Sequence, residues 1–226
     1  MKLQYFLYYT LFGFLFYACD GMYDNVDIYY DKGETNYIAK VDSVSARSGK
    51  NRVQFTWFVN PDPRIRELYV TWNNGNNEAT IPIDFNQLDE NRNYSVILDP
   101  VEEGSHIFYL HHIGNGHKSV STETEATSYG EQYQASLEPR SIRSITMKDG
   151  EATITWRAIV ENCEVEISYT NVAGISTKRL VISTELSTVI EDAQQKSAFS
   201  YVSTYLPEED AIDDFSVASE TMYFPE

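Results

Sequence analysis

From residue 37 onward apolar and polar residues alternate with a period of two. In NRVQFTWFVNPDP, Val53, Phe55, Trp57 and Val59 fall on one face, and Gln54 and Thr56 on the other. Successive side chains of an extended chain point to opposite sides, so this period predicts a half-buried β-strand. Pro61 and Pro63 end it, since proline cannot donate to a ladder. ELYVTWNNGNNEATIPI predicts a second strand with Leu68, Val70 and Trp72 aligned, then a polar turn bearing a glycine, then a third strand. YSVILDPVEEGSHIFYLHHIGNGHKSV predicts two more strands around Pro100 and Gly104, closing on the turn GNG. No stretch carries a helical stripe of about ten residues or more, so this half reads as all β.

The second half repeats the plan at a nearly constant spacing. EATITWRAI matches RVQFTWFV, with Trp156 in the place of Trp57, and EVEISYTNVAG matches ELYVTWNNG, with Tyr169 for Trp72. STVIEDAQQKSAFSYV matches YSVILDPVEEGSHIFYL, with Ile190 for Leu98 and Phe199 for Ile107. Two tandem sandwiches follow, over residues 37–136 and 137–226, joined near LEPRSI. An inward Trp on the second strand, and a proline-glycine corner before a strand rich in Tyr and Phe, resemble the fibronectin type III plan, in which two sheets bury alternating residues against each other. The expected fold class is therefore all-β, two fibronectin type III-like sandwiches in tandem.

Before the first sandwich the pattern changes. Leu3 to Tyr17 is an apolar run behind a single cation, Lys2. It matches a signal-peptide core of roughly 7 to 15 residues and falls short of the roughly 20 that cross a bilayer. Residues 1–18 are accordingly expected to be an export signal. Ala18 places a small residue before Cys19, as a lipobox requires, although Phe16 stands where leucine is usual. Cys19 is thus the candidate lipidation site, and ordinary secretion with an incidental cysteine is the alternative. Each buried methylene adds about 0.8 kcal/mol, so several acyl chains hold a soluble domain at a membrane. Residues 19–36, DGMYDNVDIYYDKGETN after the cysteine, show no lasting period and read as a tether.

Charge narrows the partners. The 226 residues carry 17 basic and 34 acidic side chains, a formal net charge of -17. Such a chain repels nucleic acid and anionic headgroups, so neither is expected as a partner. Two cysteines are too few for a disulfide framework or a cysteine metal site once Cys19 is lipidated. Cys163 alternates with Val165 and Ile167 and is expected to point inward as a small apolar residue.

Candidate chemistry is sparse. No nucleophile elbow, phosphate loop or HExxH pattern occurs, and with 34 acids some pair would always meet glycosidase spacing, so the count selects nothing. The chain is read as non-enzymatic, with no cofactor and no metal. His111 and His112 in HHIGNGH point to opposite faces of a strand and cannot share an ion, and His117 lies across the turn, so solvated imidazoles at a strand end are expected. PEEDAIDDF gathers Glu208, Glu209, Asp210, Asp213 and Asp214 without the alternation of a calcium loop, so it is expected to be a solvated acidic turn. WNNGNN offers the best ligand candidate: the amides of Asn73, Asn74, Asn76 and Asn77 pair donors with acceptors, which suits vicinal hydroxyls, and Tyr69 could stack on a sugar ring. The same residues are also what a tight hairpin demands. Trp57, Trp72 and Trp156 sit in register with aliphatic neighbours and are expected in the core.

Four blocks are more specific than a fold. YIAKVDSVSARSGKNRVQFTW, YVTWNNGNNEATIPI, EEGSHIFYLHHIGNGHKSV and YGEQYQASLEPRSI resemble successive segments of a Bacteroidetes lipoprotein family of unknown function, DUF4998, and YLPEEDAIDDF resembles the segment that often follows them. The resemblance covers nearly the whole mature chain. It implies a cell-envelope lipoprotein, often in company with polysaccharide-uptake or surface glycan-binding components, and no established activity; the outer membrane is the expected location, with surface exposure and the side of the membrane left open. The expected function is a non-catalytic accessory that binds a glycan or docks an uptake component. A structural spacer or adhesin segment is the alternative, and a polysaccharide hydrolase the third reading.

Overall fold

A computed structural model describes residues 37–226. The export signal, the lipidation site Cys19 and the tether to residue 36 lie outside the described residues. Residues 38–226 form one compact unit. The first eight strands are β1 (Asp42–Ser48), β2 (Val53–Phe58), β3 (Glu67–Trp72), β4 (Asn77–Pro82), β5 (Asn93–Leu98), β6 (Gly104–Gly114), β7 (His117–Lys118) and β8 (Thr122–Ser128). A single-turn helix α1 (Glu131–Ser136) follows, and then β9 (Ile142–Lys148), β10 (Glu151–Trp156), β11 (Cys163–Thr170), β12 (Ser176–Val181), β13 (Ser187–Ile190), β14 (Ala198–Tyr205), β15 (Phe215–Ala218) and β16 (Met222–Tyr223).

The sheets repeat the same order. In the first sandwich β1-β2-β5 face β4-β3-β6-β7, with β8 on the outer side of β6; in the second, β9-β10-β13 face β12-β11-β14-β15, with β16 also on β14. Every named pairing is antiparallel. This is the strand order of a fibronectin type III sandwich, present twice. Each half closes its own apolar core. Val53, Phe55, Trp57, Leu68, Val70, Trp72, Phe108 and Leu110 fill the first, and Ile154, Trp156, Val165, Ile167, Phe199 and Tyr201 the second. Burying a side chain of this kind contributes about 1.5–3 kcal/mol.

The repeat is real but its register needs one correction. Tyr169 pairs with Phe199 across β11 and β14, while in the first half Thr71 pairs with Tyr109, which puts Phe108 beside Trp72. Phe199 therefore corresponds to Phe108 and not to Ile107, which points outward and is 46% exposed. The stretch from Ile190 to Phe199 is one residue shorter than the stretch from Leu98 to Phe108, and a slip of one residue reverses the face.

Buried polar groups lock both cores. Trp156 Nε1 donates to Thr188 Oγ1 at 2.9 Å. Arg140, in the junction between the halves, is fully buried, a position sequence alone does not suggest for arginine. Its guanidinium lies over the Trp156 ring, 5.0 Å from the centroid, and donates to the carbonyls of Ala158, Ile182 and Glu185. Backbone acceptors and an aromatic face thus replace the water a buried cation loses. Cys163 is buried as expected, and burial pushes its thiol up.

His112 departs from the expected solvated imidazole. The strand alternation separates it from His111 as predicted, but it turns His112 into the core, where it is fully buried. Trp57 Nε1 donates to His112 Nε2 at 3.0 Å, and His112 Nδ1 stands 2.8 Å from the Ala39 carbonyl. The proton must therefore sit on Nδ1, and the ring is neutral. Burial lowers its pKa, and the Ala39 carbonyl and Asp62 offset only part of that effect. The unfolded chain binds a proton near the ordinary histidine value of about 6.5, before the folded chain does. Stability should then fall as pH drops through about 6.5, and the loss should stop growing below the depressed folded value. Urea unfolding at pH 7 and pH 5 should show this drop for the native chain. His112→Gln should be about 1–3 kcal/mol less stable at pH 7 and nearly flat across the interval. Equal slopes in the two proteins would exclude His112 as the titrating group.

Candidate functional site

The hairpin between β3 and β4 holds the four asparagines. Asn73, Asn74 and Gly75 form a short 3-10 turn, in which Asn73 and Asn74 take left-handed φ values of 52° and 56°. Asparagine tolerates this region better than other side chains with a Cβ. Asn73 Nδ2 donates to Asn77 Oδ1 at 3.1 Å, and Asn73 Oδ1 lies 3.0 Å from His106 Nδ1. Asn73 and Asn77 are therefore engaged with each other and with β6, while Asn74 and Asn76 remain exposed.

Tyr69 stands apart from that turn, on the outer face of the sheet. Its hydroxyl donates to Glu78, and this bond raises the phenol pKa. Lys118 Nζ sits 3.5 Å from the centre of its ring, and the His111 ring lies 6.0 Å away. The ring face thus already carries a cation. The structure brings together Asn73 with Asn77 and Tyr69 with Lys118, but it does not gather Tyr69 and the asparagines at one point. Tyr109, which the sequence argument did not single out, shares the outer face and is 36% exposed. Its signal was available: Tyr109 and Ile107 alternate with Phe108 and Leu110.

The acidic segment PEEDAIDDF proves to be a docking loop rather than a solvated turn. Asp213 accepts from Arg52 Nε at 2.8 Å and from Lys50 N at 2.7 Å, and its other oxygen meets Arg52 Nη2. Glu208 accepts from the Ser48 hydroxyl at 2.8 Å and from the Tyr129 hydroxyl at 3.0 Å. Arg47 Nε donates to the Asp210 carbonyl, and Ile212 N to the Ser48 carbonyl. Gly49 permits this approach, since a Cβ there would lie 2.7 Å from both Asp213 Oδ2 and Ile212 Cγ1. Beside these bonds Tyr129, Tyr133 and Phe215 form an aromatic cluster, with Tyr133 and Phe215 edge to face at 5.0 Å. Glu103 caps α1 through the amides of Gln132 and Tyr133, which fixes Tyr133. The loop of the second sandwich is thereby clamped to one end of the first. The Arg52 guanidinium holds the Asp213 carboxyl below the ordinary carboxylate range, and the Lys50 amide adds to this. Burial first, and then Glu208, push the Tyr129 phenol up to about 12, so it remains a donor at neutral pH.

Among the described residues, no group of three or more His, Cys, Asp or Glu is placed to hold a metal ion. No helix among them is long and apolar enough to cross a membrane. A family model described as a domain of unknown function, DUF4998, matches residues 19–215. No curated protein matches the chain. Among solved structures, the FN1–FN3 domains of chicken CNTN1 are similar at 10% identity and a TM-score of 0.44, covering 84% of this chain and 68% of that one. A segment of two fibronectin type III domains from chicken tenascin is similar at 16% identity and a TM-score of 0.32, covering 80% and 99%. The chicken interferon gamma receptor alpha chain is similar at 14% identity and a TM-score of 0.34, covering 84% and 100%. The fold assignment rests on strand order and register, not on these likenesses.

If the asparagines serve the turn, Asn74→Ala should cost about 1 kcal/mol, the strain of an ordinary side chain at left-handed φ. Asn74→Gly should be neutral within a few tenths of that. Urea unfolding of the two variants decides it, and an alanine variant as stable as the native chain would exclude the turn role.

Proposed function

Since the chain belongs to the family DUF4998, whose description assigns no activity, we propose from its geometry that it is a non-catalytic structural or adhesion-type module of the cell envelope. In this reading Cys19 is lipidated and holds the module at the outer membrane, and the tether to residue 36 sets its distance from the lipid. The observation that carries the reading is the clamp, which joins two sandwiches into one compact unit. A module that bears load or presents a surface needs a fixed relation between its parts, and independent domains on a flexible link would not provide one.

The finer reading, a glycan held at the hairpin in the service of an uptake system, would depend on Asn74 and Asn76, whose amides stay exposed. It would draw less on Tyr69, whose ring already carries Lys118. The presenting role makes fewer demands on these residues and is the one adopted.

One preparation tests both halves of the proposal. Cys19→Ser should move the protein from the membrane fraction to the soluble fraction. On that background, spin labels at Glu90→Cys and Glu151→Cys should give one narrow distance distribution, which Gly49→Leu should broaden. A Cys19→Ser protein still bound to membranes would exclude the anchor, and a broad distribution without Gly49→Leu would exclude the fixed unit.

A further inference from the structure

The two halves share one topology, so the outer face of the second five-stranded sheet is an internal control for the first. In the first sandwich, Glu78, Thr71, Tyr109 and Glu123 form one row across β4, β3, β6 and β8. Thr80, Tyr69 and His111 form the next row. With Phe108 corresponding to Phe199, the matching rows of the second sandwich are Lys178, Ser168 and Ser200, and Leu180, Glu166 and Val202. Tyr109 is thus replaced by Ser200, Tyr69 by Glu166, and Glu78 by the opposite charge, Lys178. The fold therefore requires neither the two rings nor the Glu78 carboxylate at these positions, and the first sandwich carries all three.

We propose that this face of the first sandwich docks a basic, extended segment of a partner protein. The inference rests on the adhesion-type reading above and names the surface that such a module would present. Tyr109 is 36% exposed and Ile107 46%. Glu78, Glu123 and Glu125 are exposed around them. Lys118 Nζ over the Tyr69 ring, 3.5 Å from its centroid, shows within the molecule how a cation sits on this surface. Neighbouring strands are about 4.8 Å apart, so Glu123 lies one strand from Tyr109 and Glu78 about 9.6 Å away on the other side. Alternate side chains of an extended segment lie about 6.6–7 Å apart, a repeat that lets one cation reach Tyr109 with Glu123 while the next reaches Glu78. The net charge of -17 draws a cationic segment toward the protein before contact is made.

The test uses the full chain as the Cys19→Ser protein and an octapeptide of alternating lysine and serine as the probe, followed by calorimetry or fluorescence anisotropy. Binding should weaken as salt rises, and Tyr109→Ala combined with Glu123→Gln should weaken it about tenfold. Glu151→Gln, an equal charge change at an exposed position of the second sandwich, should leave binding unchanged. A glutamate–serine octapeptide should not bind. The proposal is overturned if the lysine peptide does not bind, if the double variant binds as the native face does, or if Glu151→Gln weakens binding equally. It is also overturned if cellohexaose binds in place of the peptide and Tyr109→Ala abolishes that binding, which would assign the face to a glycan. Circular dichroism of the double variant, expected to match the native chain, keeps misfolding from imitating lost binding. Failure of this docking would leave the spin-label distance and the membrane anchor unchanged, so the two proposals fail separately.

Discussion

The grip of Asp213 on Arg52 and on the Lys50 amide is the constraint that makes one body out of two sandwiches. Arg52 and Asp213 are separated by 161 residues of sequence, so the bond closes almost the whole length of the described chain. One carboxylate oxygen accepts from both the guanidinium and a backbone amide, and the other from the guanidinium alone. Charged, doubly bonded contacts of this kind are stronger than neutral ones, although a salt-bridge partner 34% exposed, as Arg52 is, loses part of that to solvent screening. The contact is supported on one side by Glu208 with Ser48 and Tyr129, and on the other by the packing of Tyr133 on Phe215.

The rest of the architecture follows from where the polar groups are placed. Each sandwich completes its core without the other, through inward residues that alternate along facing strands. The junction adds mainly polar and aromatic contacts, with Ile212 against Gly49 beside them, and a more polar character is usual for interfaces between domains of one chain. Arg140 shows the same economy at the start of the second sandwich: its charge is stabilised by carbonyls and by the face of Trp156. His112 does so in the first, where one ring nitrogen serves Trp57 and the other the entering segment at Ala39.

The fold was legible because a period of two has only one structural meaning, and because Trp57 and Trp156 marked the same strand in each half. The placement of Phe199 against Ile107 failed because a length change of one residue in a loop cannot be read from spacing, yet it reverses which face is inside. His112 was read as solvated although it continues the inward alternation of Phe108 and Leu110. What alternation does not show is the pair that receives the ring in the core, the Trp57 Nε1 donor and the Ala39 carbonyl. The acidic segment misled for a different cause: its partners, Ser48, Lys50 and Arg52, are remote in sequence, and local composition carries no trace of a tertiary contact. The asparagines of WNNGNN were legible as a turn, and Tyr69 as a ring on a strand, but the sequence could not show that Lys118 covers that ring. Tyr109 was missed although the same alternation that found the core also marks it as outward.

These features make a module whose two halves share a fold but not a surface: the second is coupled to the first, and the first carries the rings and acids on its open face. That picture stands or falls on whether the clamp couples the halves energetically. Differential scanning calorimetry tests this most directly. The native chain should unfold in a single transition whose calorimetric and van't Hoff enthalpies agree, and Asp213→Ala combined with Gly49→Leu should split it into two. Two separate transitions in the native chain would contradict the account.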